Sequence, residues 1–315
     1  MRIAFSRIGG FGDGLVATAA VSGIRTKFPE AQITGYLYSS TYQMFAGNKD
    51  VDKLVEITIS PSRIPEETIR ETVKDKWDIF YDLKPIPVVY FKEDYENYRT
   101  EQNILWGDRL KTLNSGYIDS CRELSVFGLG QLELMSEVLD IPLGRMKTKF
   151  KRTTNNYITI CNEAWGEAPT KTWYQERWKK VIEFIIYHAQ LDAVFQIGEF
   201  RTETMTGCTN LTGTQNLRSA CEIVAGSKLH LGIEGFWNHF CKALEIPAVI
   251  IFGPTPSSFF GYQEISNIQS EVCNNCWWQK KTWMLECPKG FSINDRSCMN
   301  DITVERVIAE AINHL

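Results

Sequence analysis

Several familiar features are missing from this chain. No long run carries charge of one sign: 34 Lys and Arg against 38 Asp and Glu leave a formal net charge of -4. That argues against electrostatic tracking of a nucleic-acid backbone, although a local basic cleft stays compatible with it. No apolar stretch approaches the ~20 residues needed to span a membrane. Nor is a signal peptide visible, because Arg2-Ile3-Ala4-Phe5 runs straight into polar residues and glycine, so a cytoplasmic chain is the expectation. The nine cysteines are an odd count. They read as buried thiols plus a metal site rather than a disulfide framework. What remains is ordinary: 43% hydrophobic and 23% charged residues over 315 positions, enough for a sizeable core in one large or two medium domains.

Apolar patterning supplies the elements. Arg2 to Ser6 reads as a buried strand, Asp13 to Phe28 as a helix closed by Pro29, and Ile33 to Tyr38 as a second strand. Strand, helix and strand in this span make a βαβ unit of a parallel sheet. Val51 to Ile57 suits a short helix or strand, and Trp77 to Leu83 a further strand. Pro87 to Gly116 is aromatic and polar with weak periodicity, and is read as loops and short helices. Gln131 to Leu139 is helical.

Arg145 to Asn156 is basic, polar and nearly free of large apolar residues, as expected of a solvated connector. It divides the chain into domains 1–150 and 151–315. The alternation then restarts with strands at Tyr157 to Cys161, Ala193 to Ile197, Lys228 to Gly232 and Ala248 to Phe252. Helices are expected at Trp173 to Ala189, Asn216 to Ala225, Phe236 to Leu244 and Thr303 to Leu315. The fold class is therefore α/β: two Rossmann-like domains facing a central cleft. Ligands of such sheets bind beyond the carboxyl ends of the strands. There the loops Ile8 to Gly14, Gly198 to Arg201, Gly232 to Asn238 and Gly253 to Ser257 fall.

The first of these loops holds Asp13 inside a glycine cluster, Gly9-Gly10-Phe11-Gly12-Asp13-Gly14. A dinucleotide fingerprint needs a third glycine where Leu15 stands, and no clear acidic residue follows the second strand. A Walker loop needs Gly-Lys-Ser/Thr, which is absent. Two readings of Asp13 remain: a helix N-cap, or a carboxylate presented for chemistry by glycines that permit unusual backbone angles.

The second half contains KLHLGIEGFWNHFCKALEIPAVIIFGPTPSSFFG, Lys228 to Gly261. Taken with Arg7-x-Gly9-Gly10-x-Gly12-Asp13 and the strand entry Phe28-Pro29-Glu30-Ala31-Gln32-Ile33, it resembles glycosyltransferase family 9, the heptosyltransferase family. The matching features are Glu234, Gly235, His239, the helix end Ala243-Leu244-Glu245-Ile246-Pro247, and Phe252-Gly253-Pro254-Thr255. Their order matches over most of the chain; residues 85 to 150 show little.

The resemblance implies a GT-B fold and an inverting transfer from a nucleotide-diphosphate sugar without a catalytic metal or other cofactor. It makes Asp13 the general base on the acceptor hydroxyl. Lys171, in Pro169-Thr170-Lys171-Thr172-Trp173, neutralises the donor phosphates. The loop of Glu234, Gly235, Phe236 and His239 holds the pyrophosphate. Gly12, Gly198, Glu199, Gly253 and Thr255, in the strand-end loops, complete the donor-binding candidates. Physical chemistry asks for the same parts: a base for one proton, and positive potential for the departing diphosphate. A helix starting near Glu234 to Trp237 offers free N–H groups and its positive end.

Glu234 stands where the family has an aspartate, Phe236 and Trp237 where it has smaller residues, and Ala20 where it often has proline. The donor is thus heptose or another hexose-like sugar, and the acceptor a glycan, protein or modified nucleic acid. The alternatives are a non-catalytic nucleotide-sugar-binding paralogue and, against the broken fingerprint, another Rossmann-type enzyme such as a dehydrogenase.

Cys273, Cys276, Cys287 and Cys298 follow a C-x2-C-x10-C-x10-C pattern. Four thiolates with one such pair suit structural Zn or Fe in tetrahedral geometry. The other reading is four buried thiols in an irregular tryptophan-rich segment. Some protein-directed heptosyltransferases of the family carry a four-cysteine iron in a comparable region, with longer spacings. Cys121, Cys161, Cys208, Cys221 and Cys241 sit in strand or helix contexts and are read as core.

Overall fold

The computed structural model describes residues 1–57, 77–83, 88–91, 129–164, 168–277, 279–280 and 282–315. These residues fall into two compact units that part between Lys149 and Phe150. In the first, β1 (Arg2–Arg7), α1 (Phe11–Lys27), β2 (Gln32–Leu37), α2 (Ser39–Phe45), β3 (Lys53–Glu56), β4 (Ile79–Asp82), β5 (Val88–Phe91) and α3 (Gln131–Leu139) follow in order. The sheet order is β3-β2-β1-β4-β5. All pairs are parallel except β4 with β5.

α1 is apolar nearly all round. Leu15, Val16, Ala17, Ala19, Ala20, Val21 and Ile24 are all buried, as expected for a helix sandwiched rather than laid on a surface. On the sheet, Phe5 meets Phe45 at 5.1 Å between ring centroids. Ile3, Ile33 and Leu37 are buried as well, and Phe80 packs with Ala4, Tyr36, Ile57 and Trp77 in a separate cluster.

The second unit contains β6 (Tyr157–Cys161), α4 (Gln175–His188), β7 (Ala193–Gln196), β8 (Thr209–Asn210), α5 (Leu217–Ala225), β9 (Leu229–Ile233), α6 (Phe236–Leu244), β10 (Ala248–Phe252), α7 (Ser257–Phe260), β11 (Ser266–Gln269), α8 (Ser297–Asn300) and α9 (Val304–Ile312). Its sheet, β11-β10-β9-β6-β7-β8, is parallel throughout. β9 and β10 are buried at every position, the pattern of strands covered on both faces. Trp178, Val181, Ile182 and Ile185 of α4 pack against Ile158, Ile160, Leu229, Leu231 and Val249. Asn216 and Thr303 cap α5 and α9 through their side chains.

Some expectations need correction. α1 begins at Phe11, not Asp13: Gly9 and Gly10 precede it, while Gly12 lies inside its first turn. Of the two readings of Val51 to Ile57, the strand holds, at residues 53–56. Within Pro87 to Gly116, read as loops and short helices, Val88–Phe91 forms an edge strand; residues 92–116 lie outside the described ones, as does Cys121. α4 starts at Gln175 rather than Trp173, whose side chain is packed in the core.

Cys161, Cys221 and Cys241 are buried in elements, whereas Cys208 lies in a turn and is half-buried against the core. The connector is also not simply solvated. Lys147 pairs with Asp50 at 2.5 Å in the first unit. Arg152 donates to the Ala225 and Ser227 carbonyls in the second.

Candidate functional site

In the first unit β1 is flanked by β2 and β4, so the strand order switches beside it. The connection that leaves its carboxyl end is the glycine cluster, the position where ligands of such sheets collect. Asp13 is the third residue of α1, and the N-cap is Gly10. The carboxylate accepts the Gly10 N–H at 2.8 Å, which satisfies one orphan donor of the helix start. Its other oxygen pairs with the Arg7 guanidinium.

Arg7 itself is only 3% exposed and also donates to the Leu83 carbonyl at 2.7 Å. Asp13 is 40% exposed. Gly9, at φ +148°, is needed here: a Cβ would fall 2.3 Å from the Asp13 carboxylate. Ser40 and Thr41 brace the loop through the Gly9 and Arg7 carbonyls. Gly12 lies in the first turn of α1, half-buried.

In the second unit the switch lies between β6 and β9. Lys171 comes from the connection after β6, and Glu234 directly follows β9. They form a buried pair, Nζ to Oε2 2.5 Å, at 14% and 7% exposure. Thr255, after β10, donates its hydroxyl to the same Glu234 oxygen at 2.7 Å. Burial pushes the Glu234 carboxyl up. Lys171, Thr255 and His239 outweigh it and hold the group below the ordinary glutamate value. Glu234 is therefore the anchor of this cluster, and Thr255 spends its hydroxyl on it.

Gly235 is the N-cap of α6. As glycine it offers no side chain to cap the helix, and the space where a Gly235 Cβ would stand is open. Phe236 is the first helical residue and half-buried. His239 Nδ1 lies 2.6 Å from the Tyr262 hydroxyl. Gly253 is buried against Met299 and the Thr170 carbonyl, so protein packing takes up its missing side chain. Gly198 has Glu163 in that place, while Glu199 is exposed.

Glu163 escaped the reading of the sequence. Its carboxylate accepts the Phe200 N–H at 3.2 Å and is raised by burial. Arg7, Tyr262 and Arg296 were likewise given no role. Only Arg7 had a signal, its place in the Arg-x-Gly-Gly stretch.

Cys273, Cys276, Cys287 and Cys298 are all buried, and none is in a disulfide. Burial first, then the neighbouring thiols of the set, push Cys276 up to about 11 and Cys298 up to about 12. Lys289 Nζ is 3.5 Å from the Cys273 sulfur, and Arg296 lies within electrostatic reach of Cys287 and Cys298. Such cations would offset the charge of four thiolates, so the donor set fits Zn or Fe in kind. Among the described residues, no three His, Cys, Asp or Glu are arranged as metal ligands. Trp277 packs on Phe259 and Phe260, so its ring is engaged by α7; Trp278 lies outside the described residues.

The comparisons with known proteins come from different directions. A family model described as glycosyltransferase family 9 (heptosyltransferase) matches residues 122–289. No curated protein matches the sequence. Among solved structures, the glycosyl transferase family 9 protein of Veillonella parvula aligns with TM-score 0.63 and 14% identity, over 99% of this chain and 96% of that one. E. coli heptosyltransferase WaaC, solved with ADP-2-deoxy-2-fluoro heptose, gives 0.58 and 12% over the whole of both chains. The iron-containing dodecameric glycosyltransferase TibC of enterotoxigenic E. coli gives 0.63 and 15%, over 99% of this chain and 75% of that one. At these identities the likeness is one of fold, the GT-B fold of heptosyltransferases. No helix among the described residues is long and apolar enough to cross a membrane.

Proposed function

The chain belongs to glycosyltransferase family 9, and we propose that it moves a sugar from a nucleotide-diphosphate donor to an acceptor hydroxyl with inversion. In this reading Asp13 takes the hydroxyl proton as the acceptor oxygen attacks the anomeric carbon. The bond from that carbon to the phosphate oxygen breaks, and the nucleoside diphosphate leaves with the electron pair. No catalytic metal is required. Lys171 and the backbone N–H groups at the start of α6 receive the developing phosphate charge.

The observation that carries this reading is the meeting of Lys171 and Glu234 at a switch point, beside the start of α6, where the N-cap is Gly235. Because Glu234 already shares the Lys171 charge, the helix end supplies much of the net positive potential. His239 and the loop backbone at Gly235 and Phe236 complete the diphosphate site. Gly12, Gly198, Glu199, Gly253 and Thr255 shape its surroundings.

An ADP-linked heptose, the kind of donor in the WaaC complex, is the first to test, ahead of other hexose-like sugars. Glycan, protein and modified nucleic acid are the acceptor classes. A thermal-shift screen against nucleotide sugars, followed by transfer and donor-hydrolysis assays, tests the proposal. A donor that binds and turns over supports it. Binding without any turnover marks a nucleotide-sugar-binding paralogue, and no binding overturns it.

Cys273, Cys276, Cys287 and Cys298 are proposed to hold one structural Zn or Fe. Four thiolates leave no open position for substrate, and their bonds would order a segment whose one helix among the described residues, α8, is four residues long. Protein purified without added metal should contain about one equivalent of Zn or Fe. Less than about 0.2 equivalents, an order-of-magnitude threshold for a closed site, would leave four buried thiols.

A further inference from the structure

The cysteine-rich segment touches the donor-side cluster at several points. Its Met284 carbonyl accepts both the Thr170 N–H at 3.2 Å and the Thr170 hydroxyl at 2.9 Å. Arg296 donates to the Pro169 carbonyl and, at 2.6 Å, to the Thr172 carbonyl. Those carbonyls bracket Lys171. On the other side, the Cys276 and Trp277 N–H groups both donate to the Pro254 carbonyl at 3.0 Å, one residue before Thr255. The two loops that meet at Glu234 are therefore tied to one and the same segment.

Arg296 is 2% exposed, and both of its terminal nitrogens end on backbone carbonyls of the Lys171 loop. A planar fork of donors can fix two carbonyls at once, which a point charge on a flexible stem cannot do equally well. Burying a guanidinium is costly, and a solvent-exposed loop of the same length would need none. The loop that carries Lys171 has little regular structure of its own and has no other buried cation among the described hydrogen bonds to its carbonyls.

We infer that residues 270–302 are the positioning element of the donor-diphosphate site, and that Arg296 is the positioning residue that sets Lys171. The inference rests on the reading of Lys171 as a diphosphate ligand. Arg296 acts through Lys171: its guanidinium holds the Pro169 and Thr172 carbonyls on either side of that residue and so fixes where the ammonium meets Glu234. A misplacement of about 1 Å in such a group is enough to cost binding or rate.

The test measures ADP, GDP and UDP affinity by isothermal titration, donor KM and kcat, and thermal midpoint, on the full chain. The variants are Arg296→Met, Arg296→Lys, Thr170→Val and, as a control for lost stability alone, Val307→Ala in the core beneath α9. Arg296→Met should weaken nucleoside-diphosphate binding about tenfold or more, the scale of one misplaced charged hydrogen bond. Donor KM should rise with it. Arg296→Lys should recover part of the loss, and Thr170→Val should weaken binding by a smaller factor. Val307→Ala should lower the midpoint with affinity and KM unchanged.

If Arg296→Met does not fold, Thr170→Val decides: unchanged affinity and KM there overturn the inference. Folded Arg296 variants with wild-type affinity overturn it as well, as does a loss no greater than that of Val307→Ala at equal destabilisation. If the wild type binds none of the three diphosphates, the donor reading falls, and this inference falls with it. Wild-type binding with indifferent variants removes only the inference.

Discussion

The two candidate sites use one device with the signs reversed. In the first unit a buried cation, Arg7, holds a half-exposed anion, Asp13. In the second a buried anion, Glu234, holds a cation, Lys171. In each pair the more buried partner is tied to further groups: Arg7 to the Leu83 carbonyl, Glu234 to Thr255. The difference lies in exposure of the acting group, 40% for Asp13 against 14% for Lys171. A group proposed to take a proton is left open; a group proposed to hold charge is kept where charge interactions are weakly screened.

Asp13→Asn should produce the largest effect. Amide replaces carboxylate with little change of shape, so transfer should fall about 10²–10⁴-fold. Nucleoside-diphosphate affinity should stay near wild type, while the thermal midpoint falls because the buried Arg7 loses its counter-charge. Near-normal turnover would leave Asp13 as the reciprocal capping residue of α1 and nothing more.

Glu234→Ala comes next. It strands Lys171 as a buried, uncompensated charge, at a cost of about 3–5 kcal/mol in unfolding free energy. Asp13→Ala strands the more deeply buried Arg7, 3% exposed against 14% for Lys171, and should cost at least as much. Denaturant titration of both variants compares them directly; a clearly smaller loss for Asp13→Ala would mean that burial of the stranded cation does not set the cost.

Lys171→Met removes the acting member instead of the anchor. Donor-diphosphate binding should weaken by about 1.5–3 kcal/mol, as for a charged hydrogen bond, and titration calorimetry reads it. Unchanged affinity together with an unchanged transfer rate would take Lys171 out of the site.

The smallest effect concerns pH. The Glu234 carboxyl is held below its ordinary value of 4.5. A depressed carboxyl stabilises the fold above the unfolded value and loses that contribution as pH falls through the lower, folded one. Stability should therefore be flat with respect to this group at neutral pH and decline below about 4.5. Glu234→Gln should flatten that acid limb. An acid limb identical to wild type would mean that other groups govern it.

Much of the architecture was legible because its signals are local. β10, with Ala248–Phe252 all apolar, and α6, with Phe236–Leu244 periodic, follow from runs of neighbouring residues. Where a signal depended on context, the reading slipped. Phe11 and Gly12 read as the end of a loop, yet burial of α1 on nearly every side offsets the poor helix propensity of Gly12, while Gly10 stays outside as the N-cap. The strand Val88–Phe91 is itself a run of strand-favouring residues, obscured within a longer aromatic and polar stretch, and it pairs antiparallel with β4.

For the candidate sites the division is the same. The sequence by itself determined that an aspartate stands in a glycine-rich strand-to-helix connection, that a lysine precedes a tryptophan helix, and that an acid-glycine pair opens α6. Spacing within one connection limits what neighbours can do: the Gly10 to Asp13 contact spans three residues. Only the tertiary structure decided what those groups face. It turned Thr255 onto Glu234 across 21 residues and brought Arg296 to the Pro169 carbonyl across 127. Contacts of that length are set by how strands are ordered in a sheet and how loops close over them. No period or motif in the chain encodes that partner, because the energy of the contact exists only once the sheet has formed.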